Sequence, residues 1–298
     1  MTVTKQADIA VPCANILGET ATWSEREQAL YWVDIRAPAL HRLTPGSGQH
    51  QSWPMPELCG AVVPAASGVL LAFRHNLMHF DVVAGCLTPL IEVEPAALDN
   101  RLNEAKCDRS GRLWLGSMRD FGTAVTGSLY RIGRDLHPER VLSGVAVPNS
   151  LGWSPDGRTM YFSDTPKLVL RAYEYEPDTG TLGAMCPLVE ADRLPGRPDG
   201  CTVDAEGHVW NARYGAGCVA RIAPDGRLTA MVHLPVSQPT SCALGGAGLR
   251  TLFITTARQR LDPAQLKSQP HAGHLFAVEV NVPGLPDTEF AGPLLGAR

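Results

Sequence analysis

The chain has 298 residues, 44% apolar and 19% charged. That is the composition of a globular protein with room for a full core, and it excludes a disordered or low-complexity chain. A formal charge of −4 with dispersed Lys and Arg provides no basic face for nucleic-acid phosphates and no polybasic run for a membrane surface, so neither is expected as a partner.

No apolar run is long enough to span a bilayer. The first residues, Met-Thr-Val-Thr-Lys-Gln-Ala-Asp, lack a basic region followed by an apolar one, so the expected location is the cytoplasm. Eight scattered cysteines without a Cys-x-x-Cys pair read as small hydrophobes in a reducing compartment.

In chain order, residues 7–12 form a short apolar strand ahead of a series of hairpins. Turn signals at Ser67-Gly68, Ser110-Gly111, Asp156-Gly157, Glu206-Gly207 and Asp225-Gly226 punctuate the rest. Short β-branched or aromatic runs are predicted as strands at 29–35, 69–73, 112–117, 159–163, 208–212 and 251–255. A second strand follows each, at 39–43, 77–81, 128–132, 169–175, 218–222 and 274–280. Alternation is clearest in Leu-Val-Leu-Arg-Ala-Tyr-Glu-Tyr, as a half-buried antiparallel strand requires. Helix is confined to loops, with one turn expected over 263–268.

Trp32, Leu71, Trp114, Tyr161, Trp210 and Phe253 recur at roughly 40–50 residue intervals, the spacing of propeller blades. The expected fold is therefore all-β: a six-bladed β-propeller of four-stranded antiparallel blades, closed by the N-terminal strand. Radial closure leaves few exposed edges. A sandwich would not explain a repeat with one beat, and a β-helix needs shorter periods. Without a linker, 1–298 reads as one propeller domain.

Four hairpins open with an oxygen-bearing side chain four residues before the first apolar anchor. They are Gly-Glu19-Thr-Ala-Thr-Trp23, Leu-Asn103-Glu-Ala-Lys-Cys107, Pro-Asn149-Ser-Leu-Gly-Trp153 and Pro-Asp199-Gly-Cys-Thr-Val203. In a propeller the first strand of each blade lines the axial channel, so residues just before it meet at one mouth. Asn or Asp before a strand is ordinarily turn chemistry, but four at one register is a constellation. Carboxylate and amide oxygens without His or Cys suit a hard cation. Gly60-Ala61 and Thr240-Ser241 occupy the other two places, and such small residues are expected to leave an open side.

The strings Leu17-Gly18-Glu19, Tyr31-Trp32-Val33-Asp34-Ile35, Arg101-Leu-Asn103-Glu104, Gly111-Arg-Leu-Trp-Leu-Gly116-Ser-Met118, Asn149-Ser-Leu-Gly-Trp153 and Pro198-Asp199-Gly200 together resemble the gluconolactonase / regucalcin (senescence-marker protein) family. The resemblance runs in order from about Gly18 to Val280. It implies a six-bladed, metal-dependent sugar lactonase with one divalent ion: calcium, magnesium, manganese or zinc. Glu19, Asn149 and Asp199 match the family's metal ligands, and Asp199 also matches the carboxylate that manages the proton of the attacking water. Arg101 and Asn103 match residues that hold the sugar's oxygens. Asp120 lies near an acidic substrate-binding position, although Arg119-Asp120-Phe121 departs from the pattern. Thr20 and Ser150 stand where Gly is usual, and Glu104 where Asp is usual; these departures bear on which lactone fits.

The expected activity is hydrolysis of a sugar (aldono-) lactone to the aldonic acid, by a monomer or weak oligomer with a small-molecule substrate. A cation polarises the ester carbonyl and acidifies water, Asp199 moves the proton, and Arg101 donates forked hydrogen bonds. No Gly-x-Ser-x-Gly elbow is present. Two alternatives stand beside it: an organophosphate or aryl-ester hydrolase on the same scaffold, and a non-enzymatic calcium-binding regulator. The segment 258–273 is longer than a turn needs and is a candidate lid.

Overall fold

The two innermost strands of a blade are buried on both faces, because each of the six blades packs between two neighbours around an axis. The computed structural model describes residues 3–294. Blade 1 holds strands Gly18–Ser24, Ala29–Asp34, Ala39–Thr44 and Gln49–Pro54. Blade 2 holds Ala61–Pro64, Val69–Ala72, Asn76–Asp81 and Cys86–Glu92. Blade 3 holds Asn100–Cys107, Leu113–Arg119, Gly127–Ile132 and Pro138–Val145. Blade 4 holds Pro148–Trp153, Thr159–Asp164, Leu170–Glu176 and Thr181–Val189. Blade 5 holds Arg197–Val203, Val209–Tyr214, Cys218–Ile222 and Leu228–His233. Blade 6 holds Pro239–Gly245, Thr251–Thr256 and Leu275–Glu279. The innermost strands touch in that order and return from blade 6 to blade 1.

The N-terminus closes the ring as expected. Asp8–Val11 pairs antiparallel with Leu275–Glu279 and becomes the fourth strand of blade 6. The strand before it, Val3–Gln6, was not foreseen: it adds to the outer edge of blade 5, parallel to Leu228–His233. The one α-helix among the described residues is Pro263–Ser268. Asp262 caps it, accepting from Gln265 N at 2.8 Å while the Gln265 side chain reaches back to the Asp262 N–H. No helix among the described residues is long and apolar enough to cross a membrane.

The core lies between blades. Trp23, Trp32, Phe253 and Leu275 form the seam between blades 6 and 1, with the rings of Trp23 and Phe253 stacked at 6.1 Å. Trp114, Trp153 and Tyr175 do the same between blades 3 and 4. Burying a side chain such as Phe253 or Leu275 stabilises by about 1.5–3 kcal/mol. All six repeating anchors are buried second-strand residues.

The C-terminal segment crosses the end of the channel where the inner strands finish. Gly284 bridges to Asp204 and Phe290 to Ala65. Asp287 accepts from Trp23 N at 2.9 Å and Thr22 Oγ1 at 3.0 Å. That end is sealed, and the opposite end carries the cleft.

Candidate active site

The four oxygen-bearing residues do not precede the inner strands; they lie inside them. In blades 1, 3, 4 and 5 the register with the second strand shifts at that point, between Glu19 and Thr22, Leu102 and Ala105, Asn149 and Gly152, and Pro198 and Cys201. A β-bulge leaves residues out of the ladder and re-aims their side chains. The residues after two of the candidates pass through left-handed backbone, with φ of 52° at Thr20 and 62° at Ser150. These are the positions where the sequence departs from glycine. A β-branched or polar residue there is strained.

Two buried aspartates fix the approach to these bulges. Asp34 accepts from the N–H groups of Ile16 and Leu17 at 2.8 and 3.1 Å. Asp164 does the same for Ala146 and Val147 at 3.1 and 3.0 Å. Each ends the second strand of its blade, and each pins the chain two residues before Glu19 or Asn149. Sequence reasoning passed over both, although Tyr31-Trp32-Val33-Asp34 and Tyr161-Phe162-Ser163-Asp164 share a pattern that could have revealed them.

Glu19, Arg101, Asn103, Asp120, Asn149 and Asp199 all line one cleft of about 140 Å³ at the open end of the channel. All six are buried. The small residues of blades 2 and 6 do not create its opening. A Cβ on Gly60 would sit 2.1 Å from the Leu102 carbonyl oxygen, and Thr240 Oγ1 donates to the carbonyl of Gly18. Those positions are small because neighbouring blades close on them. The cleft's rim is built instead by loop residues Arg36, Gln259 and Arg260 and by Tyr214 at the end of a strand.

Among the described residues the acids at the centre form no ion pair: Arg101 pairs with Asp120, and Lys106 with Asp287. Burial, and then the charge of Glu104, push Glu19 up to about 8. Burial lifts Glu104 to about 7, against the pull of Lys106 and the backbone N–H groups of Leu151 and Ser150. Burial, Glu19 and Glu104 hold Asp199 well above the usual carboxylate range. Asp199 Oδ1 is buried and has no hydrogen-bond partner among the described residues. Glu19 accepts from Thr20 N at 3.1 Å. An orphaned oxygen in a cluster of mutually repelling acids fits a bound cation. Among the described residues no three of His, Cys, Asp and Glu are grouped to hold a metal; the donor set here needs the amide of Asn149 as its third member, with hard oxygens throughout.

Around this centre runs a polar chain. Arg101 Nε contacts Asp120 at 3.1 Å, and its Nη1 donates to Asn103 Oδ1 at 2.7 Å. Asn103 Nδ2 donates to the Pro148 carbonyl at 2.9 Å. Asn149 Nδ2 donates to Thr165 Oγ1, and Thr165 Oγ1 to the Pro198 carbonyl, each at 2.8 Å. Burial and the charge of Arg36 draw Arg101 down to about 10, against the pull of Asp120 and Glu19. Asp120 is shared by Arg36, Arg74 and Arg101. Burial would raise this carboxyl, but the hydrogen bond from Arg36 and the three positive charges outweigh that and hold it low.

A family profile described as SMP-30/Gluconolactonase/LRE-like region matches residues 17–258. The chain belongs to that family. An L-arabinolactonase of Azospirillum brasilense is 38% identical over 293 residues, 96% of each chain. A 6-deoxy-6-sulfogluconolactonase of Pseudomonas putida is 38% identical over 281 residues, 93% of this chain and 96% of that one. The crystal structure of a calcium-binding protein, regucalcin, from Agrobacterium tumefaciens superimposes with a TM-score of 0.92 at 29% identity, covering 97% of this chain and 99% of that one. Three named relatives that match across nearly the full length are lactonases, which hydrolyse a carboxylic ester.

Proposed function

We propose that the protein hydrolyses a sugar lactone to its aldonic acid with the help of one divalent cation held by Glu19, Asn149 and Asp199. It is an enzyme of the lactonase kind, a carboxylic-ester hydrolase, by its family. The observation that carries the cation is the buried, unpartnered Asp199 Oδ1 beside raised Glu19 and Glu104. A hard divalent ion would supply Lewis acidity, drawing charge from the ester carbonyl and making water in the site more acidic.

The chain's own groups supply the rest. Asp199, beside the attacking water, takes its proton through the carboxylate. As the acyl–oxygen bond breaks, the same carboxyl returns a proton to the departing ring oxygen. Arg101 donates to oxygens of the sugar through the part of its guanidinium that Asp120 and Asn103 leave free. Asn103, held by Arg101, presents its amide at the same place. Asp120 acts on the substrate chiefly by setting the arginines that surround it. Because a lactone is already a reactive ester, no covalent nucleophile is required.

The test uses protein stripped of divalent ions by chelation, then supplied with calcium, magnesium, manganese or zinc, in a pH-indicator assay over a panel of aldonolactones. Turnover should depend on the added ion. Asp199→Asn should retain the fold and lose about 10²–10⁴ in rate. Equal rates for stripped and loaded protein would overturn the cation's role, and no turnover of any lactone would overturn the activity.

A further inference from the structure

Four arginines line the cleft, and only one of them is needed at its centre. Arg36, Arg197 and Arg260 join Arg101 there, brought by the loop after the second strand of blade 1, the start of the inner strand of blade 5, and the excursion of blade 6. The one acid among them on the rim side is Asp120, and its carboxylate is already divided among Arg36, Arg74 and Arg101. Arg197 and Arg260 are exposed and make no ion pair or side-chain hydrogen bond among the described residues.

Both are held in place by backbone rather than left on mobile tips. Arg260 takes a left-handed conformation with φ of 60°, which is strained for a residue with a Cβ. Its segment is tied down by Arg258 N and Gln259 N, both donating to the Ile16 carbonyl, and by Gln238 donating to the Gln259 carbonyl at 3.1 Å. Arg197 precedes Pro198 and stands two residues from Asp199 on the same strand, about 7 Å along it. A six-carbon sugar acid spans that distance from end to end. Neutral hydroxyls call for a mixture of donors and acceptors. A rim of guanidiniums offers donors and positive charge, which match a carboxylate, phosphate or sulfonate.

We propose, building on the lactonase reading, that the preferred substrate is a sugar lactone bearing a second, anionic group at the end remote from the lactone carbonyl. Arg197 and Arg260, with Arg36, receive that group and so determine specificity. Charge attraction across a screened cleft mouth also speeds capture, and it weakens as salt shortens the Debye length.

The experiment compares matched lactones with and without the distal charge: D-glucaro-1,4-lactone and 6-phospho-D-glucono-1,5-lactone against the corresponding D-gluconolactones. Every pair yields the same new carboxylate at C1, so product binding cancels in the ratio. The charged member should be preferred about tenfold or more in kcat/KM, and less so as added salt shortens the Debye length from about 30 to about 8 Å. The double variant Arg197→Gln/Arg260→Gln should lose most of that preference. Carboxylate and phosphate arms show which anion the rim takes. A neutral lactone hydrolysed as well as its charged partner, or a preference that survives the double variant, would overturn the inference while leaving the lactonase reading intact. If no lactone is turned over, thermal protection by D-glucarate against D-gluconate decides: a larger shift with glucarate, lost in the double variant, upholds the anion site, and equal shifts sink it.

Discussion

Arg101 Nη1 donates to Asn103 Oδ1 at 2.7 Å, and this contact sets which way two asparagine amides face. A guanidinium can only donate, so the oxygen of Asn103 must be the atom it meets. The Asn103 Nδ2 then serves the Pro148 carbonyl and lies 3.5 Å from Asn149 Oδ1. The other amide's nitrogen is taken by Thr165, which leaves Asn149 Oδ1 as the atom of that amide available to the proposed cation. One arginine thus touches the proposed substrate site directly and the proposed cation site through two amides.

Arg101→Ala should therefore lower kcat/KM for a lactone and also weaken divalent-ion affinity, the latter by about 10–100-fold. Arg101→Lys keeps charge without the fork and should recover little of either. Isothermal titration with calcium or manganese alongside steady-state kinetics separates the two effects. Wild-type turnover in Arg101→Ala would remove Arg101 from the substrate site, whereas turnover abolished by it would argue against a purely ion-binding regulatory protein.

The acid cluster makes a pH prediction whose sign is fixed. Glu19 is raised from 4.5 to about 8 in the folded protein, so the folded state holds its proton more tightly than the unfolded chain does. That contribution to stability is complete below about 4.5 and is lost as pH rises through about 8. Asp199 is shifted in the same direction. In chelator, the melting temperature should fall across this window; Glu19→Gln should flatten the fall, and a saturating divalent ion should reverse it. A chelated protein that grows more stable across the window would contradict the shared burial of these acids.

Ser150 offers a stability test. Its φ is 62°, and its hydroxyl donates to the Asp199 carbonyl at 2.6 Å. Ser150→Ala loses the hydroxyl and keeps the strained Cβ, whereas Ser150→Gly loses the hydroxyl and relieves the strain. The glycine variant should be more stable than the alanine variant by about 1–2 kcal/mol, measured by urea denaturation. Equal stability of the two would mean that the left-handed turn carries no cost here.

The blades were legible because alternation, turn pairs and a recurring aromatic each report on local backbone, and the anchors Trp32 to Phe253 all fall on second strands. The helix at Pro263–Ser268 was legible for the same reason, through its Asp262 cap. Glu19, Asn103, Asn149 and Asp199 could be brought together because one repeat places them equivalently. Arg36 and Arg260 obey no repeat: they arrive on loops of unequal length, whose paths depend on neighbouring blades. Arg197 opens the inner strand of blade 5 two residues before Asp199, the register that Arg101 holds before Asn103 in blade 3. Asp120 was read as a substrate contact, and nothing in Arg119-Asp120-Phe121 announces that Arg36, Arg74 and Arg101 converge on it from three separate stretches of chain. The bulges that carry the site were also invisible, since a one-residue slip in register leaves no trace in composition.

The pairing of Asp8–Val11 with Leu275–Glu279 has a consequence for how the protein is made. Of these two strands, the one made earlier must wait for the other, with the whole ring built in between. Until then the edge of Leu275–Glu279 has no neighbour on that side, and an unpaired edge is where chains stick to one another. Glu19 and Asp199 stand on opposite sides of that late seam, in blades 1 and 5. A molecule shortened before Leu275 would leave Asp8–Val11 without its partner strand, and blades 1 and 5 without a complete neighbour between them.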